Sequence, residues 1–216
     1  LKLIFTSEFT SLIMKKILAL IFALIGWFAV IMQYQLMLED SKFTFLEMTI
    51  QFFSYFTILT NIIVAVYFTS QLGKNPQQIE NSGTLMAITI YILMVGLIYQ
   101  VVLRSTWNPT GMQRVVDELL HAIIPAFVLL YWIFIGNKNN LNYKQIPRWA
   151  VYPLMYLFYI LIRGHFSGFY PYPFVDVFTI GYSQVLINAF LILIFFTGLS
   201  MLFIRIGKAL RISNND

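Results

Sequence analysis

Arg114, Asp117 or Glu118, His121 and Pro125 succeed one another at steps of three or four residues, which puts them on one face of a helix. Asp117 lies four residues before His121, where its carboxylate can accept a proton from one imidazole nitrogen and set the tautomer. Carboxylates at both i−3 and i−4 suit a histidine to act as a base. Pro125 offers no N–H to the His121 carbonyl, so the backbone there is freed and expected to bend. A second set, Gln51, Ser54, Thr57 and Asn61 with Thr60 at its edge, has the same helical spacing. That stripe reads either as hydrogen-bonding glue between helices or as a face carrying a reactive threonine. Thr, His and Asp on facing helices would supply a nucleophile, a base and an orienter.

The elements that must position these groups are apolar stretches long enough to cross a bilayer. They run over Ile17–Leu38, Met48–Phe68, Thr84–Leu103, Val115–Ile135, Trp149–Ile162 and Val185–Ile206. A membrane helix needs about 20 apolar residues; the fifth stretch is short but bracketed by Pro147, Arg148, Arg163 and Gly164. The expected fold is therefore an all-α integral membrane protein, a bundle of six transmembrane helices. Polar residues crowd toward one end of that bundle: Gln33, Gln51, Ser54, Thr57, Asn61, Gln100, Arg104, Asp117, Glu118, His121, Arg163, Gln184 and Asn188. Polar groups at membrane depth cost free energy unless they pair or line a cavity, so a one-sided cluster is a candidate site.

Composition supports the class. Hydrophobic residues make up 59% of the 216 and charged residues 11%, against about 25% charged in soluble domains. Ten of the 14 Lys and Arg fall at the two ends and in the second and fourth loops. By the positive-inside rule both termini are expected in the cytoplasm, and the polar end of the bundle on the outer side. The net charge of +5 is thus a topology signal, not a sign of nucleic-acid binding. The absence of cysteine excludes disulfides and thiolate chemistry, and two histidines are too few for most histidine-rich metal or haem sites. Met14-Lys15-Lys16 before an apolar run reads as a natural start. Residues 1–13 are then a non-native or disordered extension, and 14–216 a single six-helix membrane domain. That first run is too long for a signal peptide and lacks a small-residue cleavage pattern.

The connections are short and turn-rich: Gly73-Lys74-Asn75-Pro76, Asn108-Pro109-Thr110-Gly111 and Gly136-Asn137-Lys138-Asn139-Asn140. Asn108-Pro109 is expected to cap and start the fourth helix. The segment from Arg163 to Asp176 is rich in aromatics and proline, suited to the interface, with Arg163 a partner for Asp176, Asp117 or Glu118. By helical rise, Thr57 lies roughly 13 Å and His121 roughly 9 Å inside the outer ends of their helices, close enough in depth to meet.

Five motifs together, FSYFTILTN ending at Asn61, DELLHAIIP (Asp117–Pro125), LIRG (Leu161–Gly164), YPYPFVDV (Tyr170–Val177) and Gly181-Tyr182 with Asn188, carry a resemblance. From Met14 onward the chain resembles a bacterial family of six-helix membrane proteins of unassigned function. More distantly it is similar to the eukaryotic androgen-induced membrane proteins, hydrolases of fatty acid esters of hydroxy fatty acids that use a membrane-embedded Thr and His. Their nucleophile in a Tyr-Leu-Thr context matches Thr57 after Tyr55-Phe56, with Thr60 the rival. Their histidine four residues before a proline matches His121 and Pro125, and their Trp-Val-Tyr-Pro-Phe segment resembles Tyr170–Phe174. Asp117-Glu118 is a departure from them.

The resemblance implies a multi-pass protein of the bacterial inner membrane acting on a membrane lipid or acyl ester, with no metal or cofactor. Thr57 would attack the acyl carbonyl and His121 take its proton, while the i−4 spacing of Asp117 suits it to orient the ring. Asn61 or Arg104 would stabilise the oxyanion. Ser54, Glu118, Arg163, Tyr172, Asp176 and Asn188 complete the expected polar pocket. The alternative is a small transporter or ligand-binding protein using the same pocket without catalysis.

Overall fold

A computed structural model describes residues 2–40, 43–73 and 82–213. Leu1, Lys42 and the Lys74-Asn75-Pro76 turn fall outside them. Among the described residues the longer elements are all α-helices: α1 (Lys2–Asp40), α2 (Phe45–Phe52), α3 (Phe56–Leu72), α4 (Ser82–Ile98), α5 (Gly111–Glu118), α6 (Ile124–Phe134), α7 (Ile146–Ser167) and α8 (Val177–Ser213). Four helical runs are long and apolar enough to cross a membrane, or five if the bent pair α2–α3 counts as one span. That composition fits a multi-pass membrane protein.

The second apolar stretch is not one helix. Thr44 and Glu47 form a capping box that starts α2, and the helix closes in tight turns from Ser54 N–H to Gln51 and from Tyr55 N–H to Phe52. Side chains satisfy the freed backbone: Ser54 Oγ donates to Ile50 O at 2.6 Å and Tyr156 OH to Ser54 O at 2.8 Å. Such breaks survive at membrane depth only when these groups find partners. The expected stripe is corrected accordingly. Gln51 belongs to α2 and Ser54 to the break, so only Thr57, Thr60 and Asn61 share α3.

The fourth stretch also starts differently from expectation. Asn108 and Pro109 stay outside the helix, and α5 begins at Gly111 after the extended Thr110. A proline disfavours helical backbone in the residue before it. Gly111 then takes φ +57°, a conformation suited to glycine. The fifth and sixth stretches are longer than their apolar runs, and α8 bends at Gly181 (φ 76°, ψ 158°).

The helices gather into two units. One holds residues 57–137 together with α1. Within it α4 packs on α6, and α1 on α5 and α6. Half-buried Phe22 packs on half-buried Phe127 and on the buried Phe68 and Tyr131, with ring centroids 5.0–5.8 Å apart. Gly26 lets α1 approach α3 so closely that a Cβ there would sit 3.1 Å from that of Ala65. The other unit holds α2, α7 and α8, with α7 packed along α8.

Candidate functional site

Two π-helical turns shape the first unit: Tyr99–Leu103 after α4, and Leu119–Ile123 between α5 and α6. Each inserts extra backbone and re-aims the side chains beside it, as π turns commonly do at functional sites. In the second, the Ile124 N–H reaches back to Leu119 O, which passes over the Leu120 carbonyl. Pro125 in turn offers no N–H to the His121 carbonyl. Asn61 Nδ2 answers the first vacancy, 3.4 Å from Leu120 O, while also donating to Thr57 O at 2.8 Å. Gly96 of α4 makes room for the second: a Cβ there would lie 3.1 Å from His121 O and 3.2 Å from Pro125 Cβ.

His121 sits inside this turn. Its Nδ1 lies 3.1 Å from Asp117 Oδ1 and 3.0 Å from the Asp117 backbone oxygen. Two acceptors around one nitrogen select the tautomer with the proton on Nδ1, so the lone pair is on Nε2. Nε2 makes no hydrogen bond among the described residues. The ring stacks on Tyr99, centroids 3.9 Å apart and planes 13° from parallel. Tyr99 OH donates to the other oxygen of Asp117 and accepts from Trp107 Nε1 at 3.3 Å. A carboxylate only 4% exposed is thereby held by two side-chain donors, as a buried charge must be.

Tyr99 and Trp107 were not legible as site residues. Tyr99 is one of 13 tyrosines and lies at the end of an apolar run. Its only signal is its place just before Gln100 and five residues before Arg104.

Around this centre Arg104 pairs with Glu118 and donates to Gln100 Oε1 at 2.8 Å. Gln113 Nε2 donates to Gln33 Oε1 at 2.9 Å, tying α5 to α1. Asp117 and Glu118, adjacent in sequence, thus serve different partners. Thr57 and Thr60 are both buried on α3, and the ring of His121 is not hydrogen-bonded to either. Both amide hydrogens of Asn61 go to carbonyls, so what remains is Oδ1, a buried acceptor with no partner. Asn61 therefore has no donor left over for an oxyanion. No three His, Asp or Glu side chains among the described residues are grouped to hold a metal.

The remaining candidates lie in the second unit. Ser54 Oγ is also 3.4 Å from Tyr159 OH. Tyr172 stacks on Phe174 and meets Tyr55 edge-on. Asp176 caps the start of α8, accepting from Phe178 N–H at 3.0 Å and from the Thr179 hydroxyl at 2.6 Å. Asn188 Nδ2 donates to Phe174 O at 3.0 Å. Arg163 does not pair with Asp176, which is taken by the first turn of α8, and Asp117 and Glu118 belong to the other unit. Its guanidinium lies instead 5.0 Å over the ring of Phe169.

Neither the family models, nor the curated proteins, nor the solved structures contain a match to this chain.

Proposed function

We propose that the chain is a membrane-embedded lipid-ester hydrolase or acyltransferase, with His121 as its base. The observation that supports this best is the clamp on the imidazole. Asp117 holds Nδ1, Tyr99 holds the ring plane, and Nε2 is left as an unoccupied acceptor. In this reading Thr57 attacks an acyl carbonyl as Nε2 takes its proton, and the imidazolium returns that proton to the departing alcohol. Water then releases the acyl group from Thr57, or a second alcohol accepts it. The resemblance to the androgen-induced hydrolases, carried by Thr57, His121 and Pro125, points the same way.

The reading includes six spans, both termini cytoplasmic, in a bacterial inner membrane. The four long apolar helices, the bent α2–α3 pair and α7 make up that number. Orientation is open to direct test because the chain has no cysteine. A single cysteine at Asn108 is expected to react with an impermeant maleimide in intact cells, and one at Asn139 to be shielded. The reverse pattern would move the site to the inner leaflet.

The chemistry is tested with a fluorophosphonate probe and a long-chain ester offered to the purified protein in detergent. Thr57→Ala and His121→Gln are each expected to abolish labelling and turnover, and Thr60→Ala to leave both. Full activity in Thr57→Ala with loss in Thr60→Ala would transfer the nucleophile to Thr60. A second reading rests on the missing hydrogen bond between Thr57 and His121: a binding or transport protein using the same polar groups. It predicts ester binding or uptake with no turnover in the wild type.

A further inference from the structure

Arg163 is an arginine whose donors are mostly unused. A guanidinium has five N–H groups in a planar fork. Here Nη1 reaches one carbonyl, Phe169 O, at a long 3.4 Å, and Nε is buried without any acceptor. A buried donor left unmade is expensive, and an arginine placed only to hold a loop would fill its fork. Arg104 shows the contrast, with a carboxylate and an amide oxygen on its guanidinium.

The described acids of this unit are already committed. Glu47 is bound to Thr44 through the backbone N–H at 3.0 Å and the hydroxyl at 2.8 Å. Asp176 is bound to the first turn of α8. No ion pair reaches Arg163 from any described residue.

A second unused donor belongs to Tyr170, the residue after the Phe169 that Arg163 contacts. Tyr170 packs so tightly over Gly164 that a Cβ there would come within 2.1 Å of its ring. Its hydroxyl is buried without a partner. Burial first, then Tyr182 and Asp176, push the Tyr170 phenol above its usual range, so it stays protonated and able to donate. Nearby Phe166 and Phe178 are 83% and 66% exposed, aromatics of the kind that sit at headgroup level.

We propose that Arg163, with Tyr170 as a second donor, binds the oxyanion head of a membrane amphiphile, a carboxylate or a phosphate. The edge of a guanidinium matches either group with two parallel hydrogen bonds. Phe169 supports the face of the fork, and its ring is met edge-on by Tyr55. This site does not depend on His121 being a base, and it stands or falls separately from the hydrolase.

The test is thermal stability and native mass spectrometry of the full chain in a neutral detergent. The added probes are oleate, methyl oleate, phosphatidylglycerol, phosphatidylcholine and inorganic phosphate. Wild-type protein is expected to bind an anionic amphiphile about tenfold more tightly than its neutral or zwitterionic counterpart, as a charge-assisted pair allows. Oleate preferred over its ester identifies a carboxylate; phosphatidylglycerol preferred over phosphatidylcholine identifies a lipid phosphate. Arg163→Gln should erase the preference, Arg163→Lys keep part of it, and Tyr170→Phe weaken it several-fold. No preference in the wild type overturns the proposal, and so does a preference that survives Arg163→Gln. Binding of inorganic phosphate alone overturns the amphiphile. Where Arg163→Gln is not recovered folded, the wild-type comparison and Tyr170→Phe decide.

Discussion

Asp117→Asn is expected to lower turnover by about 10³–10⁴-fold, by analogy with the carboxylate-to-amide change in serine hydrolases, while the protein still folds. The Tyr99 hydroxyl donates to one oxygen of Asp117, so in the amide the oxygen stays with Tyr99. The NH₂ then faces His121 Nδ1, which must become an acceptor. The imidazole proton moves to Nε2, and the nitrogen proposed as the base is blocked. Stability should fall by only about 1–2 kcal/mol, the difference between a charged and a neutral hydrogen bond.

Two controls separate orientation from packing. Glu118→Gln breaks an exposed pair with Arg104, worth about 0–1 kcal/mol, and should leave turnover intact. Tyr99→Phe keeps the ring stack but removes the donor from a buried carboxylate, costing about 1–3 kcal/mol without reversing the tautomer. Nitrogen chemical shifts of the His121 ring would show the proton moving from Nδ1 to Nε2 in Asp117→Asn. A ring that keeps its tautomer, or a variant at full turnover, would remove Asp117 from the mechanism.

Gly164→Ala is expected to be the most damaging single-methyl change in the second unit. The new Cβ would stand 2.1 Å from Tyr170 Cε1 and 2.3 Å from Cζ, far inside van der Waals contact. To move away, the ring must disturb its edge-on contact with Phe178 at 5.8 Å. Helix propensity favours the alanine by about 1 kcal/mol, whereas overpacking of this severity costs about 3 kcal/mol. The net loss should lower the melting temperature by several degrees, at roughly 2–4 °C per kcal/mol for a chain of this size. Tyr170→Ala in the same chain should recover most of the loss that Gly164→Ala causes, the signature of two residues in contact. If Gly164→Ala alone leaves the melting temperature unchanged, the ring is not seated over that glycine.

Much of the helical plan was legible because it rests on local properties. Apolar length marks where helices run, and the i, i+4 spacing of Asp117 and His121 places the carboxylate within reach of the ring. Pro125 announces a disturbed backbone because the missing N–H is a property of the residue itself. The break at Ser54 was not legible. Nothing in Phe53-Ser54-Tyr55 forbids a helix, and the hydroxyl that satisfies the Ser54 carbonyl comes from Tyr156, about 100 residues away. The stripe from Gln51 to Asn61 was read with an uninterrupted helical period, and it fails at that break.

What the sequence by itself determined is an all-helical, apolar chain and a set of polar residues too costly to leave unpaired in lipid. Those properties follow from composition and from hydrogen bonds four residues apart. Tertiary structure decided which polar groups meet. Tyr99 finds Asp117 and His121 only because two π turns on different helices bring their rings into a stack. Arg104 takes Glu118, and Arg163 is left over an aromatic ring with Nε unused. Pairing across helices depends on where each backbone bends and on the space a glycine leaves. Gly96 and Gly164 owe their effect to the neighbour that fills that space, and that neighbour is chosen by packing, not by spacing along the chain.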